Sequence, residues 1–260
     1  MGNLRIRRHA MNHLNLTITF AFVGLLPVLK ADELVLTTNE QSEVRQTLED
    51  FQNGKITLDA ITVGRDEAWG RKLLEYFVTH TNDVTIKMKL PIARVFGAFD
   101  GYPQAAILAQ EYVGVYLNDW HGWRILGSAN FFMTNFSVAL SAYTNAVRLG
   151  DDISYPALGA SALKTDRLDI VSNMIPRFLA LKSSNMLTNR NQALQLATVL
   201  VIYSLRTEQQ NIFTNALANF EPKEILAHDD LTFLVKEGCK EFQGKDIEKV
   251  RQELETSEKP

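Results

Sequence analysis

The sequence predicts an all-α protein made of many short helices stacked as hairpins. Apolar residues recur at intervals of three and four along most of the chain, which is the spacing of one helical face. Brief connections that contain Gly, Asn, Asp or Pro separate these stretches. The absence of a long heptad pattern favours stacked hairpins over a four-helix bundle. With 46% apolar residues in 260, the chain can build a sizeable core.

The first 31 residues have the pattern of a secretory signal peptide. Arg5, Arg7 and Arg8 precede an apolar run at residues 14–29, which is shorter than the roughly 20 residues that a spanning helix needs. Residues 29–31 at the end of this run are "LKA", so cleavage by a signal peptidase is predicted after Ala31. The expected location of the mature chain is therefore periplasmic or secreted. The alternative is an uncleaved leader, which would be the chain's contact with a membrane.

The rest of the chain is acidic and almost free of cysteine. Four of the 27 Lys and Arg residues lie in the first 31 residues, which leaves 23 bases against 30 acids, a balance of −7. Such a charge does not suit a general nucleic-acid binder. The single Cys239 permits neither an internal disulfide nor a cysteine zinc cluster, and it is predicted to lie semi-buried in a helix. No cofactor and no metal site is predicted.

Helical spacing and turn residues locate the individual helices. In the first of them, Val44, Leu48 and Phe51 share one face and Asn53-Gly54 ends it. The predicted helices cover residues 40–52, 65–80, 91–99, 103–118, 120–133, 136–149, 155–164, 167–181, 189–205, 208–219, 229–242 and 245–257.

Residues 56–90 allow a different interpretation. Residues 84–90, "VTIKMKL", alternate apolar and polar, and Pro91 disfavours helix at Leu90. Residues 56–63 are rich in β-branched side chains. Two short strands around a helix could therefore form a β-α-β unit with a site of its own, although no Gly-rich turn marks a nucleotide site there.

The segment "NDWHGWRILGSANFF" supplies the clearest motif. Trp123-x2-Leu126-Gly127 is followed by Ala139-x3-Tyr143. Small residues at Gly127 and Ala139 would let two helices approach closely, while the larger side chains fill the surrounding space. Asn118 or Asp119 can cap the first helix, and Thr134 or Asn135 the second. This spacing resembles the tetratricopeptide repeat.

Weaker copies of the motif lie on both sides of it. They comprise Ala93 and Ala105 upstream, then Tyr155, Leu158 and Gly159, and finally Ala216 and Phe220. The resemblance implies a right-handed α-α superhelix, a solenoid over residues 32–260. Its clearest repeats would span residues 91–220, and charged capping helices would fill residues 221–260.

No motif in the sequence predicts catalysis. Asp119 and His121 could form a metal or acid-base pair, but residues two apart on a helix point in different directions. The isolated histidines stand near helix ends. The pairs Asp151-Asp152 and Asp229-Asp230 precede predicted helices, where acids favour the helix dipole.

The predicted function is therefore a non-enzymatic scaffold that binds a peptide or protein in a groove. In the resembled family, the first helix of each hairpin lines that groove. The register then predicts groove-facing side chains at His121, Arg124, Ser128 and Phe132, with Arg94 and Lys164 extending a basic track. Such a track favours an acidic or carboxylate-bearing partner. The alternative is an exported helical enzyme or small-molecule binder whose dispersed acids converge in a closed pocket.

Overall fold

The computed structural model describes residues 36–62, 67–183, 190–218 and 220–257. The predicted signal peptide and its cleavage site lie outside these residues. The described chain is all-α, as predicted, with fourteen α-helices and two short 3-10 turns but no strand within those ranges. It divides into two compact units, whose described parts are residues 36–154 and 155–257.

The first unit contains seven α-helices. They are α1 (Thr38–Gln52), α2 (Leu58–Thr62), α3 (Glu67–Thr79), α4 (Lys89–Ala98), α5 (Tyr102–Val115), α6 (Trp120–Phe132) and α7 (Phe136–Arg148), with 3-10 turns at Thr81–Asp83 and Asp152–Ser154. From α3 onward each helix packs on the next along the chain, and α4 also contacts α2 and α6. A continuous apolar core runs through these contacts.

The second unit contains the other seven helices described. They are α8 (Tyr155–Lys164), α9 (Leu168–Ser183), α10 (Arg190–Thr207), α11 (Gln210–Leu217), α12 (Pro222–Leu226), α13 (Asp229–Glu241) and α14 (Lys245–Ser257). Helix α10 is its centre, because α8, α9, α11 and α13 all pack against it. All helices predicted from periodicity are present in the two units, and the unpredicted α2 and α12 have only five residues each.

The alternative interpretation of residues 56–90 as two strands is wrong, because residues 56–62 and 67–90 contain no strand. Leu58–Thr62 is helical, and the alternating stretch forms a turn that leads into α4 at Lys89. Lys87 Nζ donates to the carbonyl oxygen of Gln52 at 2.7 Å, so this stretch completes the end of α1 instead of pairing as a strand. Pro91 lies in the first turn of α4, where a missing N–H disturbs no helical hydrogen bond.

Four turns between consecutive helices share one backbone geometry. Asp100, Thr134, Asp166 and Glu208 are all left-handed, with φ between 57° and 61°. In each case the next residue donates its N–H to the carbonyl five positions back, at 2.8 to 3.0 Å. This bond is part of the Schellman motif, which satisfies carbonyls left free at a helix end. The hairpins α4–α5, α6–α7, α8–α9 and α10–α11 are thus closed in the same way.

The contact between α6 and α7 contains the small residues of the motif. Gly127 lies against the Tyr143 ring, and Ala139 is fully buried. Trp123 is partly buried against the core and donates its indole N–H to the Leu117 carbonyl at 2.9 Å.

Asn130 is a polar residue in the buried part of α6. Its amide donates to the Leu126 carbonyl at 2.9 Å and its oxygen accepts from Asn135 at 3.3 Å. Asn135 stands at the N-cap of α7 but makes no side-chain cap bond. The Asn130 amide therefore has partners on both sides, which removes most of the penalty for burying it.

Among the described residues, none of the helices combines the length and apolar character that a membrane crossing requires.

Candidate functional site

The structure brings three of the six predicted groove residues close together in the first unit. Arg94 extends from α4, and His121 and Arg124 extend from the first turns of α6. Asp59 lies against Arg94 and Asp151 lies against Arg124, two pairings that the sequence did not predict. We call these four residues the arginine cluster. Each arginine in it faces one carboxylate.

Arg94 is bound to Asp59 at the surface of α2. Its Nη1 lies 2.7 Å from Asp59 Oδ1, and 73% of the Asp59 side chain is exposed. The hydrogen bond from Arg94 lowers the pKa of Asp59, and the charges of Arg124 and His121 lower it further. Asp59 therefore lies within electrostatic reach of Arg94, His121 and Arg124.

Arg124 is held between an aromatic ring and a buried acid. Its guanidinium carbon lies 4.5 Å from the centre of the Trp120 ring, one helical turn earlier on the same face. Its Nη1 is 3.4 Å from Asp151 Oδ1, and only 2% of the Asp151 side chain is exposed. The second Asp151 oxygen accepts from Ser154 at 2.6 Å. Asp151 is thus a buried counter-charge and does not act as the helix cap that the sequence predicted.

The Arg124 guanidinium has hydrogen-bonding capacity to spare. Burial lowers the pKa of Arg124, and the charge of Asp151 opposes that effect. Within the described residues, the long bond to Asp151 is its one hydrogen bond, although a guanidinium carries five N–H donors. A bound carboxylate could use the others.

Next to Arg124, Asp119 caps α6 as the sequence allowed. Its Oδ1 accepts from the backbone N–H of His121 at 3.0 Å and lies 2.7 Å from His121 Nδ1, while its Oδ2 accepts from the Tyr112 hydroxyl at 2.5 Å. Burial alone would raise the pKa of Asp119, but the hydrogen bonds from His121 and Tyr112 outweigh it and lower the pKa. The side chains of Asp119 and His121 therefore do contact each other, and both residues take part in the N-terminal cap of α6.

The remaining predicted groove residues, Ser128, Phe132 and Lys164, have other neighbours. Ser128 lies beside the buried Tyr143, and Phe132 stacks on Tyr102 with ring centres 4.7 Å apart. Lys164 belongs to the second unit, where burial lowers its pKa and the charge of Arg206 lowers it further. The predicted basic track is therefore represented by Arg94 and Arg124 in the first unit.

Sequence reasoning missed Asp59 and Asp151 as partners of the arginines. Asp151 is 27 positions from Arg124, and Asp59 is 35 positions from Arg94, so no local spacing relates them. The aromatic partner had a local signal, because Trp120 and Arg124 are four residues apart in a predicted helix.

Two small cavities are lined by residues that do not belong to the arginine cluster. One, of about 140 Å³, is in the first unit between α1, α3 and the start of α4. The other, of about 290 Å³, is in the second unit beside Cys239, whose thiol pKa burial raises. A thiol of this kind is a poor nucleophile. Across the described residues, no group of three or more His, Cys, Asp or Glu side chains could hold a metal ion.

Comparison of the chain with protein-family models, with curated proteins and with solved structures finds no match.

Proposed function

We propose that this protein is an interaction scaffold whose helical hairpins bind an acidic segment of a peptide or protein partner. We further propose that the hairpins stack as a right-handed solenoid of the tetratricopeptide type. The four identical hairpin turns support this arrangement, because a repeat array uses one closing geometry again and again.

The observation that carries the binding proposal is the Arg124 guanidinium, which lies over the Trp120 ring and has unused hydrogen-bond donors. A planar guanidinium that is already oriented loses little conformational freedom when it binds a carboxylate through two parallel hydrogen bonds. Asp151 cannot leave, since it is buried and bound to Ser154, so it keeps Arg124 in place.

Arg94 supplies the second binding position. Its present partner Asp59 is largely exposed, and a surface ion pair of this kind contributes at most about 1 kcal/mol. A carboxylate from a partner can therefore replace Asp59 at small cost. Because Asp59 and Asp151 balance the two arginines, we expect recognition to depend on the geometry of the donors more than on long-range attraction.

The binding proposal is tested with the full chain and two labelled peptides, hexaglutamate and hexaglutamine. We expect hexaglutamate to bind more tightly, and we expect Arg124→Gln to weaken that binding by roughly tenfold or more. Arg148→Gln is the matched control, because Arg148 is exposed on α7 and bonds only to Asn145 among the described residues. Equal binding of the two peptides, or equal losses in both variants, would contradict the proposal.

A charge exchange between Asp59 and Arg94 separates binding from folding. The double variant Asp59→Arg with Arg94→Asp keeps an ion pair between α2 and α4 but moves the cation off α4. We expect unchanged thermal unfolding and weaker hexaglutamate binding. Affinity capture with the wild-type protein and with Arg124→Gln then tests the partner. We expect the wild type to retain one stoichiometric protein and Arg124→Gln to retain less of it.

Export of the chain is a separate part of the proposal, and it depends on the leader pattern of residues 1–31. Intact-mass measurement of the protein from its native host tests it. Loss of residues 1–31 is the expected result, and a full-length mass in the cytoplasmic fraction would contradict export.

A further inference from the structure

Three exposed apolar residues follow one another where α5 ends and the chain turns towards α6. The exposed fractions of Val115, Tyr116 and Leu117 are 60%, 36% and 59%. The other large apolar residues that are exposed in the described chain stand singly along the sequence, which is usual for a protein surface. We call residues 115–117 the apolar turn. Neighbouring exposed apolar side chains are typical of an interaction surface.

Hydrogen bonds hold the apolar turn in one conformation. The Tyr116 N–H donates to the Tyr112 carbonyl at 2.9 Å, and the Asp119 N–H donates to the Tyr116 carbonyl at 3.2 Å. The Trp123 indole N–H donates to the Leu117 carbonyl at 2.9 Å. The Tyr116 ring also stacks on Tyr112, with ring centres 4.7 Å apart. Because this backbone is already ordered, a partner that covers the turn pays little conformational entropy for it.

The apolar turn is continuous along the chain with the arginine cluster. Leu117 and Trp120 are three residues apart, so their Cα atoms lie within about 11 Å of each other. The Trp120 ring carries the guanidinium of Arg124, whose carbon lies 4.5 Å from the ring centre. An extended peptide advances roughly 3.3 Å per residue, so a segment of about seven residues can reach both the guanidinium and the turn.

Residues 112–124 have the composition of the centre of a protein interface. Tyr and Trp occupy four of these thirteen positions, and Asp119, which is bound to Tyr112 and His121, is the one acid among them. Tyr, Trp and Arg are enriched at protein interfaces, whereas Lys, Glu and Asp are depleted. After the leader the chain has 23 bases against 30 acids, which disfavours an anionic lipid surface as the occupant.

We propose that the acidic segment bound by the arginine cluster carries apolar side chains next to its carboxylates, and that these side chains pack on Val115 and Leu117. This inference rests on the proposed function, because the free donors of Arg124 place the carboxylate. The apolar turn then distinguishes this partner from acidic segments that lack apolar neighbours, since only the former bury apolar surface there.

The experiment uses the full chain and three labelled heptapeptides. They are Leu-Leu-Glu-Glu-Glu-Leu-Leu, its serine-flanked counterpart Ser-Ser-Glu-Glu-Glu-Ser-Ser, and its glutamine counterpart Leu-Leu-Gln-Gln-Gln-Leu-Leu. Leucines stand on both sides of the acids, so either direction of the bound peptide brings one pair to the turn. Measured by fluorescence anisotropy, the leucine-flanked glutamate peptide should bind roughly tenfold more tightly than the serine-flanked one.

The double variant Val115→Ser with Leu117→Ser removes the apolar surface but leaves the backbone hydrogen bonds of the turn in place. We expect it to lose the tenfold preference and to bind the serine-flanked peptide as the wild type does. Val78→Ser is the matched control, because Val78 in α3 is a valine with 65% exposure that stands alone. This control should bind all three peptides as the wild type does.

The outcomes separate this inference from the proposed function. Equal affinities for the two glutamate peptides, or a preference that survives in the double variant, would overturn the inference even where Arg124→Gln weakens the binding of both peptides. An equal loss of affinity for both glutamate peptides in the double variant would also overturn it. Failure of both glutamate peptides to bind, or equal binding of the glutamine peptide, would contradict the proposed function itself.

Sedimentation of the wild type and the double variant tests a second copy of the chain as the occupant. We expect both proteins to sediment with the same mass. A dimer that dissociates in the double variant would assign the apolar turn to self-association and overturn the inference.

Discussion

Gly127 lies so close to Tyr143 that a Cβ added to the glycine would be 2.9 Å from two carbons of the tyrosine ring. Real Cβ atoms essentially never make so short a contact with another side chain. Tyr143 is fully buried, so its ring has little room to move. The approach of α6 to α7 at this point therefore requires a glycine.

We expect Gly127→Ala to destabilise the protein by about 1 to 3 kcal/mol, because overpacking here outweighs the higher helix propensity of alanine. Urea unfolding measures the change. Gly114→Ala in α5 is the control: nothing lies within 4 Å of an added Cβ there, so this variant should gain up to roughly 1 kcal/mol. Equal effects of the two substitutions would show that close packing does not govern Gly127.

Thr134 occupies a left-handed conformation, with φ of 61°, in the turn between α6 and α7. A β-branched residue pays roughly 1 to 2 kcal/mol for this conformation, and glycine pays almost nothing. Thr134→Gly should therefore raise the free energy of unfolding by about 1 kcal/mol. The same change at Ser141, which is exposed in the middle of α7, should lower it by a few tenths. A loss of stability at both positions would contradict the argument.

Asp151 is the buried counter-charge of Arg124, and its removal leaves both Arg124 and Ser154 without that partner. We expect Asp151→Ala to cost about 2 to 4 kcal/mol. A double-mutant cycle with Arg124→Ala should give a coupling energy of at least about 0.5 kcal/mol. Strictly additive effects would show that the 3.4 Å pair contributes nothing to folding.

Glu224 links stability to pH in the second unit. Its hydrogen bonds with Arg190 and with the Glu221 N–H lower its pKa from 4.5 to about 2. Because the folded pKa is the lower one, its contribution is fully present above pH 4.5 and is lost as the pH falls towards 2. NMR titration should place its midpoint near 2. Glu224→Gln should flatten the stability profile in this window, and an unchanged profile would contradict the link between Glu224 and stability.

Much of the helical architecture could be predicted from local sequence. The helices that begin near Trp120, Tyr155 and Lys245 start where periodicity and cap residues predict, since these signals act within one or two turns of the chain. The short α2 and α12 escaped prediction because five residues hold too few positions to show a period. The alternating pattern of residues 84–90 suggested a strand, but most of these residues form a turn, and their apolar side chains pack into the core.

The proposed binding positions were only partly predictable. Arg94, His121 and Arg124 followed from the register of the repeat-like motif, and the structure brings them together. Asp59 and Asp151 could not be found, because long-range packing decides which acid meets which arginine. The cavity between α1, α3 and the start of α4 had no sequence signal either, since its walls come from separate elements.

The sequence by itself therefore determined the all-α class, the place of each longer helix and the glycine contact at residue 127. These depend on spacing and side-chain size within one or two neighbouring helices. Only the tertiary structure decided that Asp151 would be buried beside Arg124 and that Asp59 would meet Arg94. Burial and charge pairing arise when distant segments pack together, and they are not encoded at any local spacing.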